Sequence, residues 1–333
     1  MRINLFTPDN MYSDHLSGDS LYLYKEIINS LSKGDLTISC EVSNPNEIND
    51  NIDLIGKAVF EGNPELFFVE QVFAPSFSGN RINLTLKPCY DMSTINEKYD
   101  ALCKEIDRIV EIISKIPNKI DQLYRLNEYL CIRIETSSNT DWAYGNSYGA
   151  LISCCARCEG FAKAAKMILN KLGFENEIIV GNATHNGQNV VHAWNEIKVN
   201  GKNYYFDFTW NAGYSANQKI AIPLYTFLDR NTMLISHEPF LLLDNDNDNS
   251  MLFWKLHNGE LQYLSDLSSA DVIPYDIHYF AIARFPFELS QYEIDYELYQ
   301  WAENAFGCSC FATQTFIAYD RDLKCGIIYF LNS

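Results

Sequence analysis

The sequence predicts an α+β protein, with helices packed on an antiparallel sheet. Three observations predict it. Residues 96–134 and 158–172 repeat apolar side chains at steps of three and four, the period of a helix with one buried face. Residues 190–210 are rich in strand formers around Asn200-Gly201, the strongest short hairpin signal. Beyond residue 241, short strand-like runs surround one helical run, the pattern of a small separate α+β module. The 333 residues divide into an N-terminal α+β elaboration (1–95), a core (96–240) and the C-terminal module (241–333). That length suffices for two or three domains that each bury a core.

Composition narrows the function classes. Hydrophobic residues make up 47% and charged residues 20%, as in a globular protein, and the net charge is −18. With no Lys/Arg cluster, nucleic acid is not an expected partner. An acidic surface favours solubility and, as a weaker expectation, basic substrates. No run approaches 18 apolar residues, so no membrane span is expected. The first ten residues lack the apolar stretch of a signal peptide. The ten cysteines are therefore expected as reduced thiols in the cytoplasm.

Taken in order, residues 1–20 are polar and mixed and read as a frayed arm. Helical spacing follows over 21–31. Residues 36–40 and 81–86 alternate as half-buried strands, and 66–73 reads as another strand, introduced by Gly62-Asn-Pro64. Helices are expected over 96–116, punctuated by Pro117, and 119–134. A polar, aromatic loop over 136–147 leads toward the central helix. After it come a strand (177–181), a loop (182–189), the hairpin and a second loop (211–217). Residues 224–227 and the segment ending at Phe240 close the core. In the last module a hairpin is expected over 251–264, strands at 278–284, 311–319 and 325–331, and a helix over 289–306. Asp244-Asn-Asp-Asn-Asp-Asn249 resembles the first half of a calcium loop. Asn249 stands where glycine is needed and Lys255 where glutamate is needed, so it reads as a solvated acidic turn.

The central helix begins at Cys158. Phe161, Ala162, Ala165, Ile168, Leu169 and Leu172 share its apolar face, while Glu159, Lys163, Lys166 and Lys171 fall largely opposite. Gly173 is the expected stop. At a helix start, unpaired N–H groups and the positive end of the macrodipole favour an anion. A thiol there is expected to ionise more easily than a free one at about 8.5. The N–H groups of that turn also suit an oxyanion.

A thiol nucleophile needs a base, and the base an orienting acceptor. If the Asn200-Gly201 turn holds two residues, Val199 pairs with Lys202. His192 then faces Thr209, and Trp194 faces Asp207. Period-two alternation puts His192 and Asp207 on one face, one diagonal step apart. The hairpin alone builds a His–Asp pair.

Cys158-Glu-Gly-Phe-Ala-Lys-Ala, His192-Ala-Trp-Asn and Tyr205-Phe-Asp207-Phe-Thr-Trp together resemble the transglutaminase-like superfamily of papain-type thiol enzymes. His192 follows Cys158 by 34 residues and Asp207 follows His192 by 15, in the order of that superfamily. Ser147-Tyr-Gly-Ala-Leu151 and Leu126-Asn-Glu-Tyr-Leu130 look like its bacterial branch. Glu159 and Phe161 stand where that branch often has Gln and Tyr, and Phe208 where Pro is common. The resemblance implies a papain-like core and a catalytic triad of Cys158, His192 and Asp207. It implies a peptide or protein substrate and a hydrolase (peptidase or amidase) or acyltransferase, with no cofactor and no metal. Trp142, Tyr148 and Trp194 are candidates for the substrate groove or for an oxyanion donor. Water is expected as the main acyl acceptor, because 182–189 and 211–217 offer no long aromatic lid.

Other readings remain. A fold-retaining scaffold that binds protein partners would need no triad. Cys155-Ala-Arg-Cys158 is also a C-x-x-C, but the strand before it is short for a redox motif. Cys154, Cys155, Cys158, Cys308 and Cys310 lack the spacing of a zinc ribbon. His185 reads as a surface residue.

Overall fold

A computed structural model describes residues 10–185, 187–215, 221, 223–241, 273–275, 278–284, 290, 292, 314–321 and 325–331. Helices and antiparallel sheets make it an α+β protein. The chain forms two compact units. One comprises residues 1–116 and 134–179, the other 117–133 and 180–333.

In the first unit, helix Gly18–Leu31 buries Leu23, Ile27, Ile28 and Leu31, the spacing expected of it. Strands Thr37–Glu41 and Arg81–Thr85 pair antiparallel with Ile38 opposite Leu84, and Ser76–Ser78 adds a third strand. Two expectations need correction, and two helices come in addition. Residues 10–16 are no frayed arm: the Asn10 amide donates to the Tyr24 hydroxyl and the Ala58 carbonyl, and the Tyr12 hydroxyl donates to the Ile178 carbonyl. Polar side chains there are interior donors, which composition alone cannot tell from solvated ones. Residues 66–73 form no strand. Leu66, Phe67, Phe68 and Val69 are buried in turns, with one isolated bridge between Val69 and Pro88. A short apolar run states burial, not conformation. Helices Pro45–Asp50 and Ile52–Phe60 were not anticipated; the first has its proline in the first turn, where the missing N–H is harmless.

Helix Ile95–Ile113 turns Leu102, Ile106, Ile109 and Ile113 inward. Helix Cys158–Leu172 runs through the interior of this unit and ends at Gly173, in the left-handed conformation at φ 78°. Its polar stripe is not a solvated face. Lys163 pairs with Glu61 (3.2 Å), and Lys166 with Glu177 (2.7 Å) and the Asn176 carbonyl (2.9 Å), both lysines being almost fully buried. The helical period marks two faces, and here paired carboxylates let the charged one be buried as well.

The second unit carries helix Lys119–Arg133 and, from residue 180 on, a sheet in the order Lys202–Phe206, Gln188–Val199, Asn176–His185, His237–Pro239. The hairpin register is the expected one, from Val199 opposite Lys202 to Asn195 opposite Phe206. Asn200 and Gly201 both have positive φ (53° and 80°), as a twisted two-residue turn demands. The strand expected to end at 181 continues to His185, so most of 182–189 is sheet rather than loop. Gly181 there admits no side chain, because a Cβ would lie 2.1 Å from the Glu238 carbonyl oxygen. The return strand stops at Phe206 and residues 208–215 turn into helix Phe208–Ser215. Asp207 explains the change: its carboxylate accepts from the Thr209 and Trp210 N–H groups, a helix start that overrides the strand preference of Phe-Thr-Trp.

The C-terminal sheet is antiparallel in the order Ile273–Tyr275, His278–Arg284, Cys325–Leu331, Gln314–Asp320. Its strands match those expected at 278–284 and 325–331, and Gln314–Asp320 covers the described part of the strand expected at 311–319. The hairpin expected over 251–264, the acidic turn at 244–249, Cys308 and Cys310 lie outside the described residues, as does nearly all of the helix expected over 289–306.

Candidate active site

In the first unit, Cys158 is the first residue of its helix and is half-buried. The preceding Arg157 is extended, and Arg157 N–H donates to the Tyr144 carbonyl at 2.7 Å. Two glycines make the helix start possible. A Cβ on Gly160 would lie 2.8 Å from the Tyr144 carbonyl oxygen and 3.1 Å from that of Asn146. A Cβ on Gly149 would lie 2.0 Å from the Ala143 carbonyl oxygen. The Asn146 side chain closes the approach, accepting from Gly149 N–H (2.9 Å) and donating to the Trp142 carbonyl (2.9 Å). Cys-x-Gly and the Ser-Tyr-Gly-Ala segment are thus two sides of one tight contact.

The Cys158 thiol donates to Glu159 Oε2 at 3.2 Å. Burial pushes the Glu159 carboxyl up, but the Arg157 guanidinium, 3.5 Å away, and further donors hold it below the usual carboxylate range. Arg157 also stacks over the Trp142 ring at 5.3 Å. Tyr148 belongs to an aromatic cluster, stacked on Phe67 and edge-on to Tyr90, with Lys98 over its ring. Burial raises the thiols of Cys40, Cys103 and Cys131, and that of Cys89 to about 12. Cys154, close by, has a positive φ of 55°, a backbone state non-glycine residues rarely adopt.

In the second unit, the hairpin places His192 against Asp207. Nε2 and Oδ2 are 2.7 Å apart, and both side chains are buried. The diagonal step expected from the register is a direct hydrogen bond. Since a carboxylate only accepts, Nε2 carries the proton, and the lone pair of the neutral ring resides on Nδ1. Trp194 lies beside the imidazole, with ring centroids 6.3 Å apart, and its indole N–H meets no acceptor among the described residues.

Sequence reasoning missed two residues here. His237 Nε2 also reaches Asp207 Oδ2, at 3.2 Å, and its Nδ1 lies 2.8 Å from the Ser236 hydroxyl. A histidine 30 residues past the aspartate gives no local signal. Asn211, expected in a loop, is fully buried. Its amide donates to Asn127, the Tyr225 carbonyl and Thr226, and accepts from Tyr225 N–H. It ties the helix behind Asp207 to the Lys119–Arg133 helix.

Burial alone would raise the Asp207 carboxyl, but electrostatic attraction to His192 and hydrogen bonds from both histidines hold it far below the usual carboxylate range. His192, Asp207 and His237 are also the one group among the described residues whose ligating atoms come within 4.8 Å. The carboxylate has four polar contacts in all: the Thr209 and Trp210 N–H groups on Oδ1, and the two histidine Nε2 atoms on Oδ2.

Residues 107–208, which span Cys158, His192 and Asp207, match the family model of the transglutaminase-like superfamily. The chain carries a transglutaminase-like core segment. No curated protein matches it. Among solved structures it is similar to a TGase (17% identity, TM-score 0.31, covering 52% of this chain and 50% of that one). It is also similar to a candidate cysteine protease from Cytophaga hutchinsonii (15% identity, TM-score 0.30, covering 39% and 52%). The chain thus spans about half the length of each. The transglutaminase-like segment draws residues 107–116 and 134–179 from the first unit and the rest from the second.

Proposed function

We propose that the protein is a cysteine-dependent acyl-transfer enzyme acting on peptide or protein amides, with Cys158, His192 and Asp207 as its triad. The observation that carries this reading is the 2.7 Å His192–Asp207 bond, built by a hairpin whose register leaves the basic lone pair on Nδ1. It lies in the same transglutaminase-like segment as a half-buried cysteine at a helix start.

In this reading His192 Nδ1 takes the Cys158 thiol proton and the sulfur attacks the amide carbonyl. The Cys158 backbone N–H supports the oxyanion. Collapse expels the amine, which takes the proton from His192, and leaves a thioester on Cys158. Asp207 keeps the proton on Nε2 throughout and balances the imidazolium. Water then attacks the thioester, with His192 again as base, releasing the acid and the thiol. A primary amine in place of water gives the cross-linking outcome. Residues 182–189 and 211–217, with Tyr214 their only large aromatic, offer no long aromatic lid, which supports hydrolysis as the dominant path. The Trp194 indole N–H, buried with no acceptor among the described residues, suits it to a transient negative charge better than Tyr148, whose ring is packed in a cluster.

The test is stoichiometric alkylation of the full chain with iodoacetamide near neutral pH, followed by peptide mapping. One label on Cys158 is expected. Labels on Cys154 or Cys155 with Cys158 unmodified would move the nucleophile elsewhere.

A further inference from the structure

We propose that His237 is a positioning residue of this site, a second imidazole that fills the remaining acceptor position of Asp207 and so fixes the carboxylate and the tautomer of His192. The inference rests on the triad reading for its catalytic consequence, though not for its geometry.

The donors leave no freedom at Asp207. Oδ1 takes Thr209 N–H at 2.9 Å and Trp210 N–H at 3.0 Å; Oδ2 takes His192 at 2.7 Å and His237 at 3.2 Å. Because Oδ2 can only accept, His237 carries its proton on Nε2. Burial of the ring favours the neutral form, though Asp207 and Asp320 oppose that. Neutral His237 then presents a lone pair at Nδ1, and the Ser236 hydroxyl, 2.8 Å away, donates to it. The chain of donors runs one way: Ser236 to His237 to Asp207. A proton that entered it would have to displace one already placed, so Asp207 stays an acceptor and His192 keeps its proton on Nε2.

The ring of His237 is held as firmly as its nitrogens. It lies edge-on to Trp194 at 4.8 Å and tilted against Trp210 at 4.5 Å and Tyr225 at 5.7 Å. The Tyr225 hydroxyl donates to Asp320 at 2.6 Å, so the C-terminal sheet braces this wall. The order Ser–His–Asp matches a serine nucleophile site in connectivity, but Ser236 is only 4% exposed and His237 1%. Buried to that degree, the three groups support a reaction rather than perform one.

The test has two parts. Ring-nitrogen NMR of the full chain labelled with ¹⁵N-histidine reads tautomers without any turnover. Both His192 and His237 are expected as Nε2–H tautomers, and Ser236→Ala should admit the Nδ1–H form of His237. A wild-type His237 with its proton on Nδ1 would overturn the proposal. In the second part, His237→Phe should lower kcat about 10- to 100-fold, the usual range for a group that orients a ligating or catalytic side chain. KM should change little. His237→Gln, whose amide nitrogen reaches about as far as Nε2, should recover most of the loss. Equal losses in both variants, or none in His237→Phe, would overturn the positioning role. If His237→Phe fails to fold, Ser236→Ala and His237→Gln carry the kinetic comparison, with a kcat loss expected in Ser236→Ala and unchanged kcat there counting against the role. Absence of turnover in the wild type would count against the triad reading while leaving the tautomer result to stand.

Discussion

At the scale of single residues, position rather than exposure sets Cys158 apart. Cys89 and Cys131 are held as thiols by their surroundings, and Cys158, half-buried like Cys89, begins a helix. Cys158→Ala is expected to abolish turnover while leaving the thermal unfolding midpoint within a few degrees, since a small thiol is replaced by a methyl group. Circular dichroism beside an activity assay checks both halves. The buried histidine gives a stability prediction with a defined sign. His237 is pushed down by burial, against hydrogen bonding and charge from Asp207, so the unfolded chain binds the extra proton more readily. Its stabilising contribution is complete above the unfolded value of about 6.5 and is lost as pH falls below it. Asp207 works the same way lower down, its contribution fading only as pH falls below about 4. Urea unfolding between pH 8 and pH 5 should therefore show falling stability in the wild type and a flatter profile in His237→Gln. A steeper profile in the variant would reverse the assignment.

At the scale of elements, the two glycines beside the cysteine set how close the helix start can come. Gly160→Ala puts a methyl group against two carbonyl oxygens and should destabilise the protein by about 1–3 kcal/mol, the usual range for overpacking. The buried lysines make a second case. Lys163→Met leaves Glu61 without its cation and should lose about 3–5 kcal/mol, much of it regained in Lys163→Met/Glu61→Leu, because the pair itself contributes little net. Chemical denaturation of the two variants separates a broken pair from a removed one. The hairpin was legible because Asn-Gly dictates the turn and period two dictates the face. The return strand was misread past Phe206 because Asp207 serves at once as acceptor for His192 and as cap of the next helix, and only the second role breaks the strand.

At the scale of the whole chain, the α+β class and the transglutaminase-like segment were readable from periodicities and three short motifs. The polar interior was not. Asn10, Asn211 and Lys163 read as arm, loop or polar-face residues in one dimension, and His237 carried no signal at all, yet each is buried and paired with a partner between 30 and 102 residues away in sequence. Partners at such separations leave no local pattern. Nor did the chain order reveal the two units, because residues 117–133 fold with the later half while 134–179 fold with the earlier. Among the described residues no helix is long and apolar enough to cross a membrane.

If Cys158 is the nucleophile, an acyl group passes through its sulfur during turnover. The full chain is incubated with a glutamine-bearing peptide and a primary amine, quenched in acid, and mapped by mass spectrometry alongside its soluble products. An acyl mass is expected on the peptide containing Cys158, with free acid as the main product and a smaller amine adduct, and none of these in Cys158→Ala. Products formed equally by Cys158→Ala, or an acyl mass on another residue, would contradict that role for Cys158.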